Sequence, residues 1–203
     1  MEEKIIVQSG AVELEGLYAE RSSGNGVVIT HPHPLYGGDL YSPVVEAIAT
    51  AYKKLGFSTL RFNFRGVGKS SGSYDKGNGE QEDVFSAVGF LERQGLEAVH
   101  LSGYSFGAWV NALAVKKALN LAGMTMVAPP VAFIQFQEDI CLPMLSSIVA
   151  GSRDEFGPPD LIAREMANWN PAVRLTVIDG ADHFFWGYLE EITRRLVGGV
   201  QSG

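Results

Sequence analysis

Apolar and polar residues follow a regular series of patterns along this chain. The first twenty residues alternate between the two kinds, with a Ser9-Gly10 turn between two stretches, which predicts an antiparallel hairpin. Beyond the hairpin, short apolar runs typical of strands buried on both faces alternate with longer stretches of helical spacing. The predicted strands are 4–9, 12–20, 26–30, 57–62, 98–102, 121–127, 145–150 and 173–178. The predicted helices are 42–55, 80–94, 106–119, 159–168 and 186–197.

This order of elements predicts the fold class. Strands that alternate with helices indicate an α/β protein with a mostly parallel central sheet, helices on both faces and the N-terminal hairpin as an antiparallel addition. The chain contains no repeat or long linker, so we expect one domain spanning residues 1–203. In such sheets the chemistry takes place beyond the carboxyl ends of the strands. A candidate functional residue should therefore directly follow a strand.

Composition and charge narrow the classes of function. A chain of 203 residues with 46% apolar residues can bury a core without a disulfide or a metal, and Cys141 has no second cysteine to pair with. The net charge of −7 disfavours nucleic acid or an anionic membrane as the main partner. The acidic N-terminus has no basic segment followed by an apolar run, and no stretch is long enough for a spanning helix. We therefore expect a cytoplasmic protein.

The pattern Gly-x-Ser-x-Gly, which surrounds nucleophilic serines in many hydrolases, occurs twice. A nucleophile of this kind needs a strand, a sharp turn and then a helix. Ser105 has the predicted strand AVHLS before it and the helical stretch AWVNALAVKKAL after it. Ser70 follows a loop and precedes SGSYDKGNG, which has no helical pattern. The sequence therefore predicts Ser105 as the nucleophile, and Ser70 is the alternative.

A serine nucleophile needs a histidine as its base and a carboxylate that orients the histidine. His183 follows the strand VRLTVI and precedes the last predicted helix, so we predict that it is the base. Asp154 follows the apolar run 145–150 and is the predicted acid, while Asp179 is its main rival. Asp182 is adjacent to His183, and its side chain is expected to cap the loop. The order Ser105, Asp154, His183 is that of α/β hydrolases.

The oxyanion of the reaction intermediate needs two N–H donors. One should be the backbone N–H of Phe106, directly after the nucleophile. The other should come from the loop HPHPLYGG, which follows the strand 26–30. Proline has no N–H, so the loop leaves His33, Leu35 and Tyr36 as donors. We favour His33, with Leu35 second.

Two segments of the sequence also resemble other kinds of site. His31 and His33 could form a metal pair, but the next acidic residue is Asp39 and no further ligand pattern follows. Gly68-Lys69-Ser70 imitates the end of a phosphate-binding loop, but Asn63 stands where that motif needs a glycine. We therefore expect neither a metal nor a nucleotide cofactor.

These motifs together resemble a known family. The segments that carry the resemblance are HPHPLYGGD (31–39), RFNFRGVGKSSG (61–72), GYSFGA (103–108) and GADHFF (180–185). They occur in this order in small α/β hydrolases, and the chain most resembles the dienelactone-hydrolase-like group over residues 27–187. The resemblance implies an α/β-hydrolase fold, a triad of Ser105, Asp154 and His183, and hydrolysis of an ester or related acyl bond. Dienelactone hydrolases themselves use a cysteine nucleophile, and Cys141 is far from the predicted turn, so dienelactone is not the expected substrate.

The loops near the predicted site are rich in aromatic residues. The candidates for a substrate pocket are Leu35, Tyr36, Tyr104 and Phe184. The segment 128–140 is too short for a helical cap domain, so we expect an open, shallow site with no sizeable cap.

These expectations combine into a serine carboxylesterase that acts on small or medium esters without a cofactor. Its expected partner is a small-molecule ester, not nucleic acid or a membrane, and its expected state is a monomer or homodimer. The same machinery would serve a thioesterase or a peptidase. A catalytically silent hydrolase fold that acts as an interaction module is the alternative from a different class. Labelling by a fluorophosphonate distinguishes that module from an enzyme.

Overall fold

The computed structural model describes residues 1–116, 119, 121–137 and 139–200. The strands are β1 (Glu3–Ser9), β2 (Val12–Ala19), β3 (Asn25–Thr30), β4 (Ser58–Phe62), β5 (Ala98–Tyr104), β6 (Gly123–Val127), β7 (Leu145–Gly151) and β8 (Arg174–Ile178). The helices are α1 (Pro43–Lys54), α2 (Asn78–Arg93), α3 (Phe106–Lys116), α4 (Pro159–Trp169) and α5 (Leu189–Val200).

The eight strands form one sheet in the order β1-β2-β4-β3-β5-β6-β7-β8. β2 is antiparallel to both β1 and β4, and all neighbours from β4 to β8 are parallel. The predicted mostly parallel sheet with an N-terminal antiparallel hairpin is confirmed. After β4 the chain crosses over β3 and continues as β5 on its other side, which makes the β3–β5 border the switch point of the sheet. The loops that follow β3 and β5 meet there, where such folds place their ligands.

An apolar core lies on each face of the sheet. Successive residues of β3 point to opposite faces, so Val28 belongs to one core while Val27 and Ile29 belong to the other. The core around Val28 contains the buried faces of α2 and α3 together with Trp169 of α4. The other core contains the buried faces of α1 and α5. The inner parallel strands, β3 to β7, are buried from both sides, which explains their apolar runs, whereas the edge strand β8 is partly exposed.

Most predicted boundaries agree with the structure to within two residues, but two predicted helices differ from it. The last helix begins at Leu189 instead of 186, because Phe185 (φ 55°) and Gly187 (φ 80°) have left-handed backbone conformations that a helix does not allow. The third helix is described to Lys116, and residues 117 and 118 of its predicted end lie outside the described residues.

The segment between β6 and β7 crosses the carboxyl end of the sheet. Its described residues, 128–137 and 139–144, form turns and extended chain without a helix or strand. Turn hydrogen bonds such as that from the Ile134 N–H to the Pro130 carbonyl (2.8 Å) shape it. This segment therefore borders the predicted site without forming a helical cap.

Candidate active site

Ser105 lies at the turn between β5 and α3 and has a left-handed backbone conformation, with φ of +54°. This conformation is unfavourable for a residue with a side chain, and packing must enforce it. The two motif glycines allow the close packing. A Cβ added at Gly103 would lie 2.5 Å from the Ala108 nitrogen, and one added at Gly107 would lie 2.6 Å from Oγ1 of Thr30. The surroundings of Ser105 thus have the strand–turn–helix geometry that the sequence predicts.

Three residues from separate loops form one chain of hydrogen bonds. Oγ of Ser105 lies 2.9 Å from Nε2 of His183. Nδ1 of His183 lies 2.9 and 3.0 Å from the two carboxylate oxygens of Asp154. Because the carboxylate can only accept, the Nδ1 atom carries the ring proton, and Nε2 accepts the hydroxyl proton of Ser105. All three residues are buried. Ser105 directly follows β5, while Asp154 and His183 lie in the loops that follow the carboxyl ends of β7 and β8.

Further hydrogen bonds hold the Asp154 carboxylate. Its Oδ1 atom also accepts the backbone N–H groups of Phe156 (2.9 Å) and Gly157 (2.8 Å). The rival Asp179 is exposed and accepts a hydrogen bond from Oγ of Ser152 instead (3.1 Å). Asp182 accepts the N–H groups of the two residues after His183, as expected for a residue that caps this loop. Asp154 is thus the carboxylate that contacts the histidine.

Tyr104 holds the backbone of His183 in place. Its buried hydroxyl donates to the His183 carbonyl at 2.9 Å. Burial, with a smaller effect of the charges of Asp154 and Asp182, raises the pKa of Tyr104 well above its usual value. The hydroxyl therefore stays protonated and remains a donor at physiological pH.

The backbone N–H groups of the loop after β3 differ in whether they already donate a hydrogen bond. The Leu35 N–H donates to Nδ1 of the His33 ring (3.2 Å), and the Tyr36 N–H donates to the His33 carbonyl (3.1 Å). Leu35, the second choice from sequence, is thus already engaged. Among the described residues, neither the N–H of His33 nor that of Phe106 has a hydrogen-bond acceptor. These are the two donors that the sequence favours for the oxyanion.

Comparison with known proteins assigns the chain to a family. No family model matches it. The uncharacterized protein RP471 of Rickettsia prowazekii is 33% identical to this chain, and the match covers 90% of this chain and 82% of that protein. An α/β serine hydrolase homologue from Coxiella burnetii is 35% identical, with a TM-score of 0.89, over 97% of this chain and 96% of that structure. This chain belongs to the α/β-hydrolase superfamily.

A second solved structure agrees with this assignment. XC6422 from Xanthomonas campestris, a serine hydrolase without a lid, is 26% identical and has a TM-score of 0.92 over 99% of this chain and 94% of that one. At the level these relationships support, the protein is a hydrolase. Its narrower resemblance to dienelactone hydrolases stays a prediction. Within the described residues, no helix has the length and apolar character needed to cross a membrane.

A cavity of about 530 Å³ opens beside Ser105 and His183 of the hydrolase. Tyr36, Tyr104 and Phe184 line it as the sequence predicts, but Leu35 does not. Leu35 is 68% exposed and lies outside the lining. It shares the short 3₁₀ segment Pro34–Tyr36 with Tyr36, and successive side chains of such a turn point in different directions, so only one of the two faces the cavity. The site is thus a cavity rather than the shallow surface expected from the short segment 128–140.

Sequence reasoning missed several residues of the cavity wall. The missed side chains are Ser42, Pro43, Val44, Pro130, Phe133, Ile134 and Phe156. Phe156 could have been predicted from the sequence. It is the one aromatic residue in the polar loop SRDEFGPPD, which also contains the predicted acid Asp154. The residues between β6 and β7 carry no comparable signal.

The histidines of the loop after β3 have structural contacts. The buried ring of His31 donates from Nδ1 to the Pro32 carbonyl (2.7 Å) and accepts the Phe64 N–H at Nε2 (3.0 Å), which leaves neither nitrogen for a metal. Burial lowers the pKa of His31 to about 4. Nε2 of His33 lies 3.3 Å from the hydroxyl of Tyr74. These contacts explain the two histidines without a metal pair.

Proposed function

We propose that this hydrolase is a serine carboxylesterase that cleaves small or medium esters. The observation that carries the proposal is the hydrogen-bonded chain from Ser105 through His183 to Asp154, at the wall of an apolar cavity. A volume of about 530 Å³ falls within the range of small-molecule sites. A chain of this kind supports acyl transfer, because it activates a hydroxyl group and can return its proton to a leaving group.

In the first half of the reaction, Oγ of Ser105 attacks the ester carbonyl while Nε2 of His183 takes the hydroxyl proton. Asp154 holds the Nδ1 proton and balances the positive charge that forms on the imidazole ring. The carbonyl oxygen becomes an oxyanion, and the N–H groups of Phe106 and His33 are the proposed donors to it. Neither group has an acceptor within the described part of the chain, which supports this role.

In the second half, the tetrahedral intermediate collapses and the alcohol leaves with the proton from His183. Water then attacks the acyl group on Ser105, with His183 again taking a proton, and the carboxylic acid is released. Each step uses only residues of this chain, an ester and water, so the proposal requires no cofactor.

Two measurements on the purified protein test the proposal. A fluorophosphonate probe should label Ser105, as identified by peptide mapping, and labelling should vanish in Ser105→Ala while it persists in Ser70→Ala. The p-nitrophenyl esters from acetate to palmitate should be hydrolysed, with the short and medium chains preferred. Labelling without ester hydrolysis, but with hydrolysis of a thioester or peptide, would move the protein to another class of acyl hydrolase. A protein that neither labels nor hydrolyses would be a silent module.

A further inference from the structure

Two phenyl rings flank the imidazole of His183. The ring of Phe156 lies 4.7 Å from it, centre to centre, at an angle of 41°, and the ring of Phe184 lies 5.6 Å from it, edge-on at 89°. The two phenyl rings are 6.4 Å from each other. Both line the cavity, and both keep exposed surface, 36% for Phe156 and 52% for Phe184. Large apolar side chains left exposed beside a reaction centre suggest a surface for a ligand.

Backbone hydrogen bonds hold both rings beside the histidine. The Phe156 N–H donates to Oδ1 of Asp154 (2.9 Å), the same carboxylate that contacts His183. The Phe156 carbonyl accepts the Ala132 N–H (2.9 Å), which ties this loop to the segment before β7. The Phe184 N–H donates to Oδ1 of Asp182 (3.0 Å). The backbone positions of the two rings are thus built into the loops that carry the acid and the base.

The proposed reaction determines which half of the ester these rings can contact. His183 must pass its proton from Nε2 to the oxygen of the leaving alcohol, so that oxygen lies within hydrogen-bond reach of the imidazole. The carbonyl oxygen lies instead toward the N–H groups of Phe106 and His33. The two phenyl rings beside His183 are therefore next to the alcohol half of the ester.

The chemistry of the wall indicates what kind of alcohol fits. Among the residues that the structure describes, none that lines the cavity is a lysine, arginine, aspartate or glutamate. Phe133 extends the aromatic surface, since its ring lies 5.6 Å from that of Phe156. Aromatic rings favour edge-to-face and offset contacts with a further ring, beyond the gain from burial alone.

We propose that Phe156 and Phe184 clamp the leaving alcohol, and that the preferred esters carry an aromatic ring on the alcohol side, as benzyl esters do. This inference rests on the proposed esterase function and specifies which leaving alcohol the esterase prefers. In the acylation step, a bond forms between Oγ of Ser105 and the carbonyl carbon, and the bond between that carbon and the alcohol oxygen breaks. The serine proton reaches that oxygen through His183. The clamp acts on this acylation step alone, because the alcohol has left before water attacks.

Two isomeric esters provide the test. Benzyl acetate and methyl phenylacetate have the same atoms, but the ring is on the alcohol side of the first and on the acyl side of the second. The kcat/KM for benzyl acetate, which reports on acylation, should exceed that for methyl phenylacetate by about tenfold or more. It should also exceed that for cyclohexylmethyl acetate, which keeps the shape of the alcohol without the aromatic ring. Equal values for the isomers, or a preference for methyl phenylacetate, would overturn the inference.

Variants connect the preference to the two rings. Phe156→Leu and Phe184→Leu should each lower the ratio of kcat/KM for benzyl acetate to that for ethyl acetate by roughly 3- to 10-fold. Ethyl acetate forms the same acetyl-enzyme, so the ratio isolates the alcohol. The matched control is Phe133→Leu, which removes a cavity ring without ring contact to His183 and should change the ratio less. Equal losses on both acetates would show that the phenyl rings merely shield His183, and would overturn the clamp.

Further outcomes separate this inference from the proposed function. A protein that labels with the fluorophosphonate and hydrolyses all the esters without preference for a ring would keep its function and lose the clamp. A protein that neither labels nor hydrolyses any of them would lose both. A preference for acetylcholine over benzyl acetate would mean that the rings recognise a cation, and would overturn the aromatic alcohol.

Discussion

The two Gly-x-Ser-x-Gly segments have the same pattern in different surroundings. Ser105 and Ser70 are nearly equally buried, with 7% and 8% of their surface exposed. The hydroxyl of Ser105 lies 2.9 Å from Nε2 of His183. The hydroxyl of Ser70 donates to the Asn63 carbonyl (2.7 Å) and accepts the Glu15 N–H (2.9 Å). One serine thus contacts a proton acceptor beside a cavity, whereas the other ties a loop to β2.

Backbone conformation explains this difference. In the first segment the serine itself has the positive φ, +54°, and directs its side chain out of a strand–helix turn. In the second segment the positive φ values belong to the glycines, +57° at Gly68 and +80° at Gly72, and Ser70 lies inside a loop. A motif of small residues therefore indicates reactivity only together with the elements on either side of it.

The largest expected effect is the loss of the hydroxyl of Ser105. Ser105→Ala should lower kcat by about 10⁴-fold or more, because it removes the proposed nucleophile. Its free energy of unfolding should change little, because alanine keeps the same Cβ at the same φ. Esterase kinetics and urea unfolding measure the two quantities. Substantial activity in Ser105→Ala, with a collapse in Ser70→Ala, would reverse the assignment of the two serines.

The second prediction concerns Asp154, the carboxylate that contacts His183 on the side away from Ser105. Ser70 has no such pair among its described hydrogen bonds. Asp154→Asn should lower kcat by up to about 10⁴-fold, since an amide no longer selects the Nδ1–H form of His183. The matched control is Asp179→Asn, at an exposed residue that contacts Ser152, which should keep most of the activity. Circular dichroism verifies that both variants fold. Loss of activity in Asp179→Asn alone would identify the other aspartate as the acid.

The third prediction concerns His31, which joins the loop after β3 to the loop that contains Ser70 by accepting the Phe64 N–H. Its pKa is about 4 in the folded chain, below its value of 6.5 in the unfolded chain. Between these values only the unfolded chain binds the proton, so stability falls as the pH falls from 6.5 toward 4. The loss is on the order of 3 kcal/mol.

Urea unfolding at several pH values checks this effect. Carboxylates titrate in the same pH range and also change the free energy of unfolding. The pH dependence is therefore compared between wild type and His31→Gln, which keeps the carboxylates but has no titratable group at position 31. The variant should be less stable at pH 7, yet lose less stability on acidification. Parallel curves for the two proteins would contradict the buried neutral histidine.

The smallest expected effect is that of Ser70→Ala. It removes two hydrogen bonds and should lower the free energy of unfolding by about 1–3 kcal/mol. The kcat should change by less than about tenfold, because the described hydrogen bonds of this hydroxyl go to Glu15 and Asn63 and not to the proposed triad. Thermal unfolding and kinetics on one ester test both statements. An unaltered stability would show that the second segment does not depend on this serine.

The place of a residue in the fold could be predicted best where the residue follows a strand. The strand pattern places Ser105, Asp154 and His183 after β5, β7 and β8, and parallel strands bring these ends to one edge of the sheet. Prediction was less successful where a side chain depends on loop geometry. Leu35 was expected in the pocket and points elsewhere, while Phe156 was missed.

The sequence by itself determined the periodic part of this protein. The alternating hairpin, the apolar parallel strands and the helical stretches each repeat a burial pattern of period 2 or 3.6, which can be recognised from local residues alone. The tertiary structure alone decided which loop groups meet and which N–H groups remain without an acceptor. The bond from the Ala132 N–H to the Phe156 carbonyl joins segments on either side of β7, and it has no periodic signature. Contacts of this kind depend on how the whole sheet brings its loops together.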